Sequence, residues 1–177
     1  MTGRPRGEGF SYPPPATGAR TDEPWTATRR TRFTDGSYNT SNMLMRWDTS
    51  SLPDDANATS ATLRAGVCRI VNDNGRSLTA DWYGAWPIDL SDYSAGAQTS
   101  ALVGKALSQL TQAPDVGGCH FNYAAGADND IALDNANGVS VTGYTGLRLH
   151  VSGGRRPART SPPSWPRSTR SAPSPAW

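Results

Sequence analysis

Two carboxylates lie two residues apart at Asp128 and Asp130, a spacing at which a strand places both side chains on one face. Paired acids can act as general acid and base, and with Asn72, Asp73 and Asn74 they offer the oxygen ligands that calcium prefers. The same residue types are also ordinary in loops and turns. No third catalytic group and no spaced calcium loop accompanies them. We therefore predict a non-enzymatic protein with no metal and no cofactor.

Histidine and cysteine offer little further chemistry. His120 directly follows Cys119, so on a strand the two side chains point to opposite faces. His150 alternates with apolar neighbours, which predicts that it faces solvent. Cys68 and Cys119 lack the spacing of a metal site. Two free thiols is the preferred interpretation, and a disulfide in an oxidising compartment is the alternative.

Aromatic residues suggest binding rather than catalysis. Trp82 alternates in step with Leu78 and is predicted to lie in the core. Tyr83, Trp86 and Tyr93 fall on the opposite face or in the following loop. A flat ring there can stack on the apolar face of a sugar, so these three residues are our candidates for glycan contact. The alternative is that they cover the end of the fold as a satellite core.

Alternating apolar and polar residues indicate the strands that must position these side chains. Residues 42–48 have the composition of one strand, and 61–68 alternate with apolar side chains on one face. The Asn-Asp-Asn-Gly sequence at 72–75 favours a tight hairpin, because Asn-Gly tolerates a positive φ. We therefore predict that 61–68 pairs with a returning strand at 78–83.

The rest of the chain is less regular. Apolar residues at helical spacing within 102–110 predict one short helix in a long connection. Residues 139–141 and 147–151 are predicted to form a last strand pair around the turn at Gly143–Gly146. Many short strands and turns suit a chain with 36% apolar residues, 18 Gly and 14 Pro.

The two ends differ from the centre. Residues 1–32 carry three consecutive prolines and no hydrophobic period, which predicts an extended or disordered segment outside the fold. Residues 33–154 are predicted to form one β-sandwich. Residues 155–177, rich in Arg, Pro and Ser, are typical of a linker. A one-base shift at codon 154 can encode a Gly turn and an apolar run, so a frameshifted replacement of the last strands is the alternative.

Charge and hydropathy limit the partners. From 33 to 154 there are six Lys and Arg residues against twelve acids, and the flanks hold eleven against three. The acidic centre disfavours binding to a phosphate backbone, so we predict no nucleic-acid partner. No stretch approaches the roughly 20 apolar residues of a membrane span. Residues 1–18 show no apolar stretch of a signal peptide.

Two stretches of sequence resemble a known family. Arg46-Trp47-Asp48 followed by Ser51-Leu52-Pro53, and then Ala61-Thr62-Leu63-Arg64, resembles the opening of DNRLRE domains. The segment from Gly143 to Gly154 is similar to the end of variants found in phage tail proteins. The resemblance spans 42–154 and implies an antiparallel, jelly-roll-like β-sandwich. The small residues Ala65-Gly66 depart from the bulkier residues of that family.

These observations favour a non-catalytic structural or binding module. We expect it in a phage tail or surface assembly, in a virion or outside the cell. The expected partners are other assembly proteins and a cell-surface polysaccharide. The alternative is a carbohydrate-binding domain associated with a polysaccharide-processing enzyme.

Overall fold

A computed structural model describes residues 1–21, 26–71, 73, 75–94, 102–115, 119 and 126–152. The described chain is almost entirely strand and loop. Its strands are β1 (Thr2–Gly9), β2 (Ala16–Thr21), β3 (Arg29–Arg32), β4 (Tyr38–Ser41), β5 (Met43–Asp48), β6 (Thr62–Val67), β7 (Ser77–Trp82), β8 (Val103–Ala106), β9 (Ala127–Ala132) and β10 (Tyr144–Val151).

The strands form two antiparallel sheets, as expected for an all-β sandwich. Eight strands make the large sheet, and β6 and β9 make the small sheet. Strands β4 and β5 follow each other with only Asn42 between them, and both pair with β1. Beyond β5 the large sheet continues through β10, β7 and β8.

The core lies between the small sheet and one face of the large sheet, which we call the core face. Alternate residues of β7 and β10 point into it, as their pattern predicts. Leu63 of β6 and Ile131 of β9 close it from the other side. The buried cluster is Leu63, Leu78, Ala80, Leu102, Ile131, Leu147 and Leu149. Trp82 packs against this cluster, as predicted from its alternation with Leu78.

The first 32 residues differ from the prediction that they lie outside the fold. They contain three strands, and β1 pairs with β2, β4 and β5. Ladder hydrogen bonds join backbone groups, so a strand can form without a hydrophobic period. Pro5 of β1 is fully buried even though the segment looks polar. Residues 153–177, which contain the predicted linker, lie outside the described residues.

The predicted pairing of 61–68 with 78–83 is wrong. Strand β6 pairs with β9, from Thr62 opposite Ala132 to Val67 opposite Ala127. Strand β7 pairs with β10 on one edge and with β8 on the other, so neither edge remains for β6. The turn at 72–75, of which Asn72 and Asn74 lie outside the described residues, therefore connects two different sheets. Gly75 has the predicted positive φ, at 67°.

Two further elements differ from expectation. Residues 102–110 form β8 and a single 3₁₀ turn at Leu107–Gln109 rather than a helix, because β8 pairs along the edge of β7. Residues 139–141 form no strand, since β5 and β7 already occupy both edges of β10. In the described part of the chain, no helix is long and apolar enough to cross a membrane.

Cys68 and Cys119 form a disulfide, so the preferred interpretation of two free thiols is wrong. The bond ties the residue after β6 to a segment that also hydrogen-bonds the small sheet. Ala113 donates its backbone N–H to the carbonyl of Val67 at 2.9 Å. Sequence spacing could not reveal the pair because 51 residues separate the two cysteines.

Candidate functional site

The three aromatic residues singled out by sequence all lie in one segment, Tyr83–Ser94, which we call the cover segment. It leaves β7 and crosses the outer face of the large sheet, opposite the core face. A 3₁₀ turn at Leu90–Asp92 organises its middle. Asp89 begins that turn and accepts from the backbone of Ser91, while Asp92 accepts from the backbone of Asp89, a capping box.

Glycines in the sheet let the cover segment lie close to it. A Cβ on Gly7 of β1 would lie 2.5 Å from the ring of Tyr93. A Cβ on Gly146 of β10 would lie 2.2 Å from the backbone oxygen of Tyr83. Because real side chains do not approach so closely, any larger residue at either position would displace the segment. Tyr83 and Tyr93 therefore pack on the sheet rather than project into solvent.

Beneath the segment, charged and polar side chains are buried beside the apolar Leu44 of β5, which pairs with Arg148. Arg148 donates from Nη2 to Asp81 Oδ2 at 2.9 Å, and both side chains are largely buried. Its guanidinium lies 4.2 Å above the ring of Tyr83. The Tyr83 hydroxyl in turn donates to Asp92, whose side chain is buried. We call these residues, with Asn42 and His150, the polar cluster.

His150 is only 2% exposed, so the prediction that it faces solvent is wrong. Alternation along β10 does place it opposite the core face, but the polar cluster and the cover segment enclose that side. Asn42 accepts from the backbone of Ser94, so its amide nitrogen is the group that donates to His150 Nδ1, at 2.8 Å. The other ring nitrogen, Nε2, lies 3.3 Å from Asp81 Oδ1. Nδ1 therefore accepts from Asn42, and Nε2 is the nitrogen that donates to Asp81.

The polar cluster shifts two pKa values in opposite directions. Burial raises the pKa of Asp81, but hydrogen bonds from His150 and Arg148 outweigh it and leave the net pKa below its usual value. Burial and the hydrogen bond to Asp92 raise the pKa of Tyr83 to about 12. The cluster therefore holds a carboxylate charged and a phenol neutral, with both ring nitrogens of His150 occupied. This arrangement suits positioning of the cover segment rather than proton transfer to a substrate.

Trp86 has a different environment from the two tyrosines. The guanidinium of Arg46 lies 4.6 Å from the Trp86 ring and 4.1 Å from the ring of Tyr144. Both distances are in the range of cation–π attraction. Tyr144 is 45% exposed, so this stack reaches the surface. We call Trp86, Arg46 and Tyr144 the aromatic ledge.

Sequence reasoning found only Trp86 of the ledge. Arg46 and Tyr144 belong to β5 and β10, almost 100 residues apart in the chain, and the pairing of Gly146 with Arg46 brings them together. No local pattern predicts that register. The aromatic character of Tyr144 was the only available signal.

The acidic residues that could have been catalytic are engaged elsewhere. Asp128 and Asp130 lie on the exposed face of β9, as their spacing predicts. Asp130 accepts two hydrogen bonds from Arg64, at 2.7 and 2.8 Å. Asp73 accepts from the backbone of Gly75 within its turn. Among the described residues, no group of three or more His, Cys, Asp or Glu side chains is placed to hold a metal ion.

Comparison of the chain with protein-family models, with curated proteins and with solved structures finds no match.

Proposed function

We propose that this protein is a non-catalytic β-sandwich module of a phage-tail or other surface assembly, and that it contacts glycans through the aromatic ledge. The observation that carries the proposal is the stack of Trp86, Arg46 and Tyr144, in which Trp86 and Arg46 are half-buried and Tyr144 is exposed. The polar cluster supports the non-catalytic part, because its acids and its histidine are used to hold the cover segment in place.

The ledge has the chemistry that a sugar requires. Aromatic rings offer a flat apolar area to the C–H face of a pyranose. A guanidinium offers several donors in one plane to hydroxyl or carboxylate oxygens. The Arg46 Nε is buried and closed to a ligand, but Nη2 donates to the sulfur of Met1 at 3.3 Å, and sulfur is a weak acceptor. An oxygen of a ligand would be a better acceptor for that Nη2 group.

Other features agree with an extracellular or virion location. Disulfides persist in oxidising environments, so the Cys68–Cys119 bond supports it. The DNRLRE-like sequence at 46–64 and 143–154 supports a jelly-roll-like topology and partners in a tail or surface assembly. The same ledge would also serve the alternative, a carbohydrate-binding domain attached to a polysaccharide-processing enzyme.

Calorimetric titration against a panel of bacterial surface polysaccharides tests the proposal. We expect one or more to bind, with an affinity about tenfold lower in Trp86→Ala and in Tyr144→Ala, the loss of one stacked ring. Leu52→Ala is the matched control, because Leu52 is an exposed apolar residue outside the ledge. No binding to any polysaccharide, or equal loss in all three variants, would contradict glycan contact at the ledge.

A further inference from the structure

A second aromatic site lies on the other side of the same strand ends. Trp47 follows Arg46 on β5, and Thr145 follows Tyr144 on β10, so their side chains point toward the core face. There they line an open cleft of about 370 Å³ between the large and small sheets. Its walls include Trp47, Trp82, Thr49, Thr62, Arg64 and Leu133.

The two tryptophans play different parts in this cleft. Trp82 is fixed, because its indole nitrogen donates to Asn135 Oδ1 at 3.0 Å. A Cβ on Gly138 would lie 2.3 Å from the Trp82 ring, so the backbone there covers one side of the indole. Trp47, by contrast, is 37% exposed. The cleft therefore combines a fixed aromatic wall with an accessible indole at its mouth.

The rim of the cleft is polar and electrically balanced. Among the described residues that line it, only Arg64 is charged, and Asp130 pairs with that guanidinium through two hydrogen bonds. Thr62 is also part of the lining and lies two residues before Arg64 on the same exposed face of β6. A charged ligand would find no uncompensated opposite charge here, whereas a neutral ligand with hydroxyl groups would find both donors and acceptors.

We propose that this cleft binds one neutral pyranose unit, with its C–H face against the Trp47 indole and its hydroxyls toward Thr62 and the Arg64–Asp130 pair. Binding pockets of small ligands commonly enclose about 300 to 1,000 Å³, are mostly apolar and carry a few polar groups. The cleft lies at the lower end of that range, which suits a single sugar ring. The inference builds on glycan contact at the ledge and adds a second subsite.

Nitrogen-15 spectra of the full chain test this subsite, because each tryptophan gives an indole N–H signal. We titrate the methyl glycosides of glucose, galactose and mannose, and the glycoside of glucuronic acid as the charged comparison. The Trp47 signal, assigned by its loss in Trp47→Phe, should shift with at least one neutral glycoside and less with the acidic one. Trp47→Ala should weaken binding about tenfold. Ala61→Phe, which fills the cleft but keeps Trp47, should do the same.

Trp86→Ala separates the subsite from the ledge. If neutral glycosides still shift Trp47 in that variant, the cleft binds on its own. If polysaccharide binding depends on Trp86 while no glycoside shifts Trp47, the subsite is overturned and the proposed function stands. If the Trp47 signal responds only to protein concentration, a second copy of the chain occupies the cleft, and the inference is wrong.

Discussion

The large sheet has two faces that are covered in different ways. On its core face, leucine side chains meet those of the small sheet, and burial of apolar surface holds the layers together. On its outer face, Ile88 of the cover segment packs on Gly3, and hydrogen bonds and an ion pair among Asn42, Asp81 and Arg148 add a buried polar layer. An apolar contact tolerates small shifts and does not titrate. A polar cluster fixes one geometry and depends on the charge of each member.

This difference suggests that the two faces of the large sheet have different roles. The core face stabilises the fold, and the outer face positions Trp86 next to Arg46 to complete the ledge. Changes on the core face should therefore lower stability at every pH. Changes on the outer face should act through pH and through binding.

The largest effect is expected from the disulfide, which anchors the small sheet that covers the core face. Replacing both Cys68 and Cys119 with Ser should lower the free energy of unfolding by about 4 kcal/mol, for a loop closed over 51 residues. Denaturant melts of the wild type with and without reductant measure it. Reductant should leave the double variant unchanged. If complete reduction leaves the denaturation midpoint of the wild type unchanged, the disulfide does not contribute to its stability.

Leu149→Ala tests the core face directly. Leu149 is 2% exposed within the buried cluster, and its truncation should cost about 3 kcal/mol. Urea unfolding at pH 5, 7 and 9 should give the same loss, because the side chains of the buried cluster around Leu149 are apolar and do not titrate. Leu52→Ala, at an exposed position, should stay within about 0.5 kcal/mol of wild type. A strongly pH-dependent loss of stability in Leu149→Ala would contradict the claim that contacts on the core face do not titrate.

Asp81→Asn tests the outer face in acid. The pKa of Asp81 is lower in the folded protein than its usual value of 3.8, so its contribution is present above that pH and is lost as pH falls through the lowered pKa. We expect a loss of about 2 kcal/mol at pH 7, from the broken bonds to Arg148 and His150. As the pH falls through this lowered pKa, the stabilities of the variant and the wild type should converge. If the stability curves of Asp81→Asn and the wild type stay parallel down to pH 2, Asp81 is not the source of the pH dependence in acid.

Tyr83→Phe tests the same face in alkali and should have the smallest effect on stability. The pKa of Tyr83 is raised from its usual value of 10 to about 12. The stabilisation that the hydroxyl provides is therefore complete below pH 10 and is lost as the pH rises toward 12. Removal of the hydroxyl should cost about 1 kcal/mol at neutral pH. The variant should then lose less stability than wild type between pH 10 and 12. If Tyr83→Phe and the wild type lose the same stability between pH 10 and 12, groups other than Tyr83 cause that loss.

The sequence predicted the core face better than the outer face. Alternation along β7 and β10 identified Leu78, Trp82 and Leu149 as inward-facing, because burial on one side imposes a period of two. The same alternation placed His150 opposite the core but could not reveal that a distant segment covers it. The partner of β6 was missed for a related reason. The Asn-Gly turn is a local signal, whereas pairing depends on which strand edges remain free.

The strands of the first 32 residues were missed because their stability comes from backbone pairing. Gly7 is buried in β1 because Tyr93 packs on it, a contact that joins residues more than 80 positions apart. Likewise, only the register of β5 with β10 brings Arg46 to Tyr144. Residue type suggested Trp86 as a contact residue, but the ledge itself required the three-dimensional structure.

In the proposed function, the polar cluster holds the cover segment in place so that Trp86 can complete the ledge. Asp92→Ala removes the acceptor of Tyr83 and one half of the capping box of the 3₁₀ turn, and the residue lies outside the core face. Hydrogen exchange of residues 83–94 and polysaccharide affinity should be measured on the same sample. We predict faster exchange confined to that segment, a retained cooperative melt and an affinity about tenfold lower, as for loss of a stacked ring. Faster exchange with unchanged affinity would contradict the claim.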